Sequence, residues 1–409
     1  MILLKRVFIP AGDKWIKRDV VIEGGIYRSI SQSEDIGAGR VLKCDGLYLV
    51  PAFIDPHVHA REPGYAYKED WETCSKAALK GGCAAIFDMP NNKIPVSDEK
   101  TLNEKNEIAE KKSHVNFGLY IALTDNNVEG LISPGVQSRV CGVKIYLSKT
   151  TGEITVSSEH SLLNIFNQRR HVLIHSGGTE GLSKILFYYE KASKRFSRIP
   201  VLYICHISTG DEVSILKKWK KKYPRIFAEV TPHHLFLNKD NYHGFQGVLP
   251  PLESREDNEA LWKGIEERTI DLLGTDHAPH TASEKRSDTP PAGFPGLETA
   301  LPLMFNALKE NRIGLGTLIA LTSGATRKLF HMGDGGVREN VPADCTLLEE
   351  GEFTVGDGGY ATKCGWSPFD GWKYTFRPIL TIVNGHIAYD HGEFFRPPVK
   401  NLCIRSSAG

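Results

Sequence analysis

His57-Val58-His59 places two imidazoles two residues apart in an apolar run. On an extended strand such residues point to the same side, so both rings can reach one metal ion. Alone, the pair is a weak signal. It gains weight from the residues at the ends of other apolar runs: Lys144, His175, His206, and Asp276 within Thr275-Asp276-His277-Ala278-Pro279-His280. Imidazole nitrogens and carboxylate oxygens are metal ligands, and both groups can also move protons. Lys144 is the odd member, because an ammonium binds no metal and is costly to bury. A neutral lysine amine can instead add carbon dioxide. The resulting carbamate is anionic and has two oxygens with which to bridge two ions. Each residue has an ordinary reading by itself: a core histidine can be inert, and a lysine can snorkel to solvent. The set, spread over several strand ends, does not.

For these residues to meet, the strands must converge. Eight short β-rich runs recur at 49–54, 84–88, 116–123, 140–146, 172–175, 201–206, 226–230 and 270–274. Stretches of helical composition and periodicity lie between them, at 71–80, 98–112, 180–192, 211–222 and 257–267. Eight strands alternating with helices is the pattern of an α/β (β/α)8 TIM barrel, which carries its active site at the C-terminal ends of the strands. The two ends of the chain read differently. Short apolar strands at 7–9, 19–23, 41–42 and 47–49 are answered by others at 345–348, 353–355, 381–383 and 386–389, the last two joined by an Asn384-Gly385 turn. This predicts a small β-sandwich built from residues 1–50 and 336–409, with the barrel over 51–335.

Composition sets outer limits. Of 409 residues, 50 are Lys or Arg and 49 are Asp or Glu, a net charge of +1, which argues against a nucleic-acid partner. The run Lys217-Lys218-Trp219-Lys220-Lys221-Lys222 falls late in a predicted helix and reads as a solvated helix end. No stretch approaches about 18 uninterrupted apolar residues, so no membrane span is expected. The opening Met1-Ile2-Leu3-Leu4-Lys5-Arg6 is too short an apolar run for a secretory signal. The eight cysteines are scattered without a CxxC pair, which suits a reduced, cytoplasmic compartment.

Longer motifs carry a resemblance. They are Asp55-Pro56-His57-Val58-His59-Ala60-Arg61-Glu62-Pro63-Gly64, Asp88-Met89-Pro90-Asn91, Gly142-Val143-Lys144-Ile145-Tyr146-Leu147, Cys205-His206-Ile207-Ser208, Glu229-Val230-Thr231-Pro232-His233-His234-Leu235 and Thr275 to Thr281, with Gly293-Phe294-Pro295-Gly296-Leu297-Glu298-Thr299. From about Val50 to Phe330 the chain resembles the dihydroorotases of the amidohydrolase superfamily, most of all the dihydroorotase part of the animal multifunctional pyrimidine enzyme. The resemblance implies two Zn²⁺ ions: one held by His57, His59 and Asp276, a second by His175 and His206, and carboxylated Lys144 bridging them together with a hydroxide. It implies the reversible cyclisation of N-carbamoyl-L-aspartate to L-dihydroorotate in de novo pyrimidine synthesis, with Asp276 as general acid and base. Arg61, Asn91 and His280 would bind the substrate carboxylate, and Thr150 and Thr151 would close over it from a loop. It leaves open a homodimer and docking on aspartate transcarbamoylase, as some relatives do.

Some neighbours of these positions read as bystanders. Alternation along a strand predicts that Cys205 points away from His206, as a small buried hydrophobe. Glu229 lies beside a ligand-rich motif, and His233 and His234 read as structural groups that support ligands. The chain also departs from the family. Many bacterial members carry Asn-Pro-Pro-Leu-Arg where this chain reads Leu249-Pro250-Pro251-Leu252-Glu253, and Ser176-Gly177 follows His175 where an acidic residue is common nearby. Two other readings compete: a sibling cyclic-amide hydrolase such as an allantoinase or dihydropyrimidinase, and a barrel that has lost catalysis and serves as a scaffold. The first lacks a substrate carboxylate for Arg61, Asn91 and His280, and the second is disfavoured because every ligand position is filled.

Overall fold

The computed structural model describes residues 1–33, 39–148 and 154–403. Its centre is an eight-stranded sheet in chain order: Phe53–Val58, Cys83–Asp88, Asn116–Ala122, Gly142–Tyr146, His171–His175, Leu202–Ile204, Ile226–Val230 and Leu272–Leu273. Every pairing along it is parallel. The ends meet through a bridge between Val58 and His277, supported by the His59 amide donating to the His277 carbonyl at 2.8 Å. The strands read as near-continuous apolar runs, such as Ala84-Ala85-Ile86-Phe87, because a barrel strand is buried on both faces.

The intervening helices start where the chain supplies a cap. Asp70, Asp98, Thr209 and Ser254 each accept a hydrogen bond from the third residue of the helix that follows, whose side chain returns the bond to the cap backbone. These caps begin Trp71–Lys80, Glu99–Lys112, Gly210–Lys222 and Arg255–Glu266. In the basic run, Lys217, Lys220 and Lys222 pair with Glu267, Asp271 and Glu190, as on a solvated helix end.

The chain ends build one nine-stranded, mostly antiparallel sheet. Ile2, Val20, Leu49, Leu347 and Ile382, drawn from both halves of the chain, share one core, so the sheet closes over itself as a small sandwich. The first predicted barrel strand, 49–54, needs correction. Leu47–Pro51 belongs to this second sheet, antiparallel to Cys345–Thr354 and parallel to Ile2–Ala11, and the barrel strand begins at Phe53. The apolar run carries no internal mark of where to divide. The division is made by partners: the Ala52 amide bonds the Asp344 carbonyl, and the Phe53 amide bonds that of Gly82. At the far end, the chain leaves the sheet and returns to the barrel, where Phe117 and Leu402 exchange backbone bonds with Lys400 and Phe117.

Candidate active site

At the C-terminal ends of the barrel strands, His57, His59, Arg61, Asn91, Lys144, His175, His206, Asp276 and His280 line one cavity of about 460 Å³. Thr150 and Thr151 lie outside the described residues. Three of the lining residues hold the left-handed backbone that non-glycine residues avoid: Arg61 at φ 64°, His206 at φ 36° and Asp276 at φ 47°. Such backbone costs of order 1–3 kcal/mol per residue and collects where function requires a side chain to be aimed.

The hydrogen bonds assign the imidazole nitrogens. His57 Nδ1 lies 2.8 Å from Glu229 Oε1, and a carboxylate only accepts, so Nδ1 carries the proton. His57 Nε2 then faces Asp276 Oδ1 at 3.1 Å. His59 Nδ1 lies 2.6 Å from Asn91 Oδ1, and its Nε2 is 2.9 Å from the same Asp276 oxygen. His175 Nδ1 and His206 Nε2 are 2.8 Å apart. Their other nitrogens, His175 Nε2 and His206 Nδ1, are buried and find no hydrogen-bond partner among the described residues.

Electrostatics follow from this packing. Burial opposes charging His57, but the Glu229 and Asp276 carboxylates outweigh it and hold its pKa well above the ordinary histidine value. Burial pushes His59 down to about 3. It does the same to His175, with Lys144 adding to the effect, down to about 3. Burial and His175 hold His206 well below the usual range. Burial would raise the Asp276 carboxyl, yet His57 and His59 hold it well below the usual carboxylate range.

These residues fit a metal centre. Neutral imidazoles are the form that ligates, and burial holds His59, His175 and His206 in it, whereas His57 stands between two carboxylates that favour its charged form, so a cation there must displace its Nε2 proton. With its Nδ1 proton committed to Asn91, His59 turns a lone pair toward a carboxylate oxygen, an arrangement that a cation relieves. His57, His206 and Asp276 bring ligand atoms within 4.8 Å of one another, as do His57, Cys205 and Glu229. Nitrogen and carboxylate donors with an adjacent sulfur suit zinc. Lys144 is fully buried, with its Nζ 2.8 Å from Cys205 Sγ and 5.3 Å from the centre of the Tyr146 ring.

Cys205 therefore faces the barrel interior beside Lys144, against the expectation that it points away. Strand alternation ends with Ile204, and the left-handed turn at His206 swings both neighbours to the same side. Glu229 also does more than its sequence position indicated. It orients His57, accepts from the His206 amide at 3.0 Å, and accepts from the Tyr203 hydroxyl. An acidic residue inside the apolar run Ile226–Val230 was the available signal. His234 is tied to Thr231 Oγ1 at 2.8 Å and to the Pro250 carbonyl at 3.1 Å.

Arg61 is buried, with Nε donating to the Pro279 carbonyl at 3.1 Å and Nη2 standing 3.0 Å from His280 Nε2. Beneath it, Asp88 accepts from the Ala60 amide at 2.8 Å and pairs with Lys105, which also donates to the Met89 carbonyl and to Asn92. That fully buried pair ties the segment bearing Arg61 to the loop bearing Asn91. Lys68 and Tyr146, which sequence reasoning passed over, line the same cavity, and the Tyr146 hydroxyl is buried without a partner among the described residues.

The model of the amidohydrolase family matches residues 48–139. By fold, the chain is similar to the L-hydantoinase (dihydropyrimidinase) from Arthrobacter aurescens, with a TM-score of 0.87 over 96% of this chain and 97% of that one at 23% identity, which speaks for the barrel and its companion sheet. By sequence, it is 33% identical to the multifunctional protein CAD of Squalus acanthias over 88% of this chain, which spans 16% of that protein's length. It is 32% identical to the dihydroorotase of Pyrococcus furiosus, over 92% of this chain and 90% of the relative. Similarity that runs the length of both chains, through the end sheet as well as the barrel, makes this chain a member of the dihydroorotase family of amidohydrolases.

Proposed function

We propose that the protein interconverts N-carbamoyl-L-aspartate and L-dihydroorotate, the ring-closing step of pyrimidine synthesis, with Asp276 as general acid and base. One observation carries the reading above the others. A buried guanidinium, Arg61, stands with Asn91 and His280 in the same cavity as the imidazole and carboxylate cluster. A receptor for a carboxylate thus adjoins a centre suited to attack on an amide.

His57, His59 and Asp276 would hold one zinc ion, His175 and His206 a second, and carboxylated Lys144 would be shared between them. Bound zinc would polarise the amide carbonyl and lower the pKa of a water molecule. The chain's own groups do the rest. Asp276, kept ionised by His57 and His59, takes a proton on a carboxylate oxygen during ring opening and returns it to the departing ring nitrogen; ring closure runs the same transfers in reverse. Arg61 offers a planar fork that matches a carboxylate. Asn91 uses Oδ1 on His59, which leaves its amide N–H groups for the same carboxylate. The Tyr146 hydroxyl offers a further donor. Glu229 keeps His57 in one tautomer. Thr150 and Thr151 would close the cavity and exclude water.

The assay is ring opening of dihydroorotate by the zinc-loaded protein, beside dihydrouracil and allantoin. Dihydroorotate is expected to be the preferred substrate. Faster turnover of either uncharged ring would overturn the substrate assignment. Absence of zinc, and of activity after zinc and bicarbonate are supplied, would favour a scaffold. A homodimer, docking on aspartate transcarbamoylase and a cytoplasmic setting complete the proposal. The last is supported by eight free cysteines, and the first two are checked by sedimentation of the protein alone and with the transcarbamoylase. No helix among the described residues is long and apolar enough to cross a membrane.

A further inference from the structure

His280 stands between two cations. Its Nδ1 lies 3.1 Å from Lys68 Nζ, and its Nε2 lies 2.9 Å from the Ala292 carbonyl and 3.0 Å from Arg61 Nη2. Burial, then Arg61 and Lys68, drive the pKa of His280 far down, so the ring is neutral and owns one N–H. Lys68 is itself paired with Glu284 at 2.9 Å and sits over the rings of Tyr65 and Tyr67 at 5.0 and 5.6 Å, which fixes its ammonium in place.

An ammonium has three N–H groups and no lone pair. His280 Nδ1 must therefore accept from Lys68, which puts the ring proton on Nε2, where the Ala292 carbonyl accepts it. Arg61 Nη2 then faces an N–H instead of a lone pair and cannot donate to His280. In the opposite tautomer, Nε2 would accept from Arg61 and use up that donor, while Nδ1–H would oppose the ammonium.

We propose that Lys68 is a positioning residue for the carboxylate receptor. By holding His280 in the Nε2–H tautomer, it keeps an Arg61 N–H unspent for the substrate carboxylate; His280 itself, its one N–H given to the Ala292 carbonyl, then serves the receptor by its place beside Arg61 and not as a donor to that carboxylate. The proposal rests on the carboxylate-bearing substrate proposed above. Lys68 acts through His280 and Arg61 and takes no part in the proton transfer at Asp276.

The test has two arms, both on the full-length, zinc-loaded chain. In the unaltered protein, ¹⁵N-histidine NMR, with His280 assigned by the signal lost in His280→Gln, is expected to show a pyridine-type Nδ1 and a pyrrole-type Nε2. The reverse assignment overturns the proposal, whatever the variants do. In the second arm, Lys68→Met is expected to raise KM for dihydroorotate roughly tenfold or more, the scale of one hydrogen bond to a charged group, while kcat falls less. Its kcat/KM on the uncharged methyl ester is expected to change little. Lys68→Arg, also a donor without a lone pair, is expected to recover part of the loss. Equal losses on acid and ester, or an Arg variant no better than Met, would show a merely structural role. If the unaltered protein prefers dihydrouracil to dihydroorotate, the substrate reading fails by itself, and the tautomer measurement still decides what Lys68 does.

Discussion

Replacing Glu229 by Gln keeps the shape of the side chain and removes its charge. Glu229 serves three donors: Oε1 accepts from His57 Nδ1 at 2.8 Å and from the His206 amide at 3.0 Å, and Oε2 accepts from the Tyr203 hydroxyl. A Gln can satisfy the two N–H groups with its single oxygen, but its NH₂ then meets Tyr203, whose hydroxyl must turn and lose its acceptor. Turned the other way, the NH₂ opposes both N–H groups. The best arrangement therefore weakens two charge-assisted bonds to neutral ones and leaves one buried hydroxyl hydrogen without an acceptor. Charge-assisted bonds are roughly twice as strong as neutral ones, and an unpaired buried group costs about 1–3 kcal/mol. Part of that cost falls on folding in general, and part on His57 and His206 as ligands. For groups that orient a metal-binding histidine, the second part is typically 10–100-fold in metal affinity or activity. The expected outcome is zinc affinity lowered by roughly that factor, measured by competition with a chelator of known affinity, with far-ultraviolet circular dichroism unchanged. A Glu229→Gln protein that binds zinc within about twofold of the unaltered chain would refute the argument that Glu229 orients the ligands.

Three other outcomes are expected. Lys144→Ala should lose bound zinc and activity together, with kcat down at least ~100-fold, and the carbamate signal from ¹³C-bicarbonate should vanish from the NMR spectrum; retained activity would rule out a bridging carbamate. Lys105→Met leaves the Asp88 carboxylate buried without its partner and should cost about 3–5 kcal/mol in urea unfolding, whereas a loss under about 1 kcal/mol would mean that the pair does not hold the two loops. His171 donates Nε2–H to the Leu329 carbonyl, and burial lowers its pKa from 6.5 to about 4. As pH falls through that window the unfolded chain takes up a proton that the folded chain resists. Its contribution is therefore intact above 6.5 and is lost toward pH 4, by up to ~3 kcal/mol. His171→Gln should flatten the stability curve between those pH values, and an unchanged slope would count against it.

Much of the architecture was legible locally. Apolar runs of strand length separated by capped amphipathic stretches are properties of neighbouring residues, and they mark out most of the barrel strands and the long helices. The division of 47–54 between two sheets was not legible. That run is apolar throughout, and only the distant partners Asp344 and Gly82 decide where it splits. The cluster at the strand ends was legible for a similar reason: His57, His59, His175, His206 and Asp276 lie at or just past the ends of apolar runs, Lys144 lies inside one close to its end, and a barrel gathers strand ends at one mouth. Cys205 was misread because the alternation rule applied to it stops at Ile204, the last strand residue, just before the backbone turns left-handed at His206. Lys68 gave no signal, since it lies in a loop whose path depends on residues more than two hundred positions away.

By itself, then, the sequence determined which chemical groups are present and which strand ends carry them, because hydrophobic periodicity and capping are short-range. Only the tertiary structure decided which nitrogen of each histidine is free. That depends on pairs such as His57 with Glu229, His59 with Asn91 and His280 with Lys68, joined across the barrel mouth by hydrogen bonds. A proton sits on one ring nitrogen or the other according to whether the facing atom can accept it. The facing atom belongs to another strand or loop, so the choice is made only when the barrel closes.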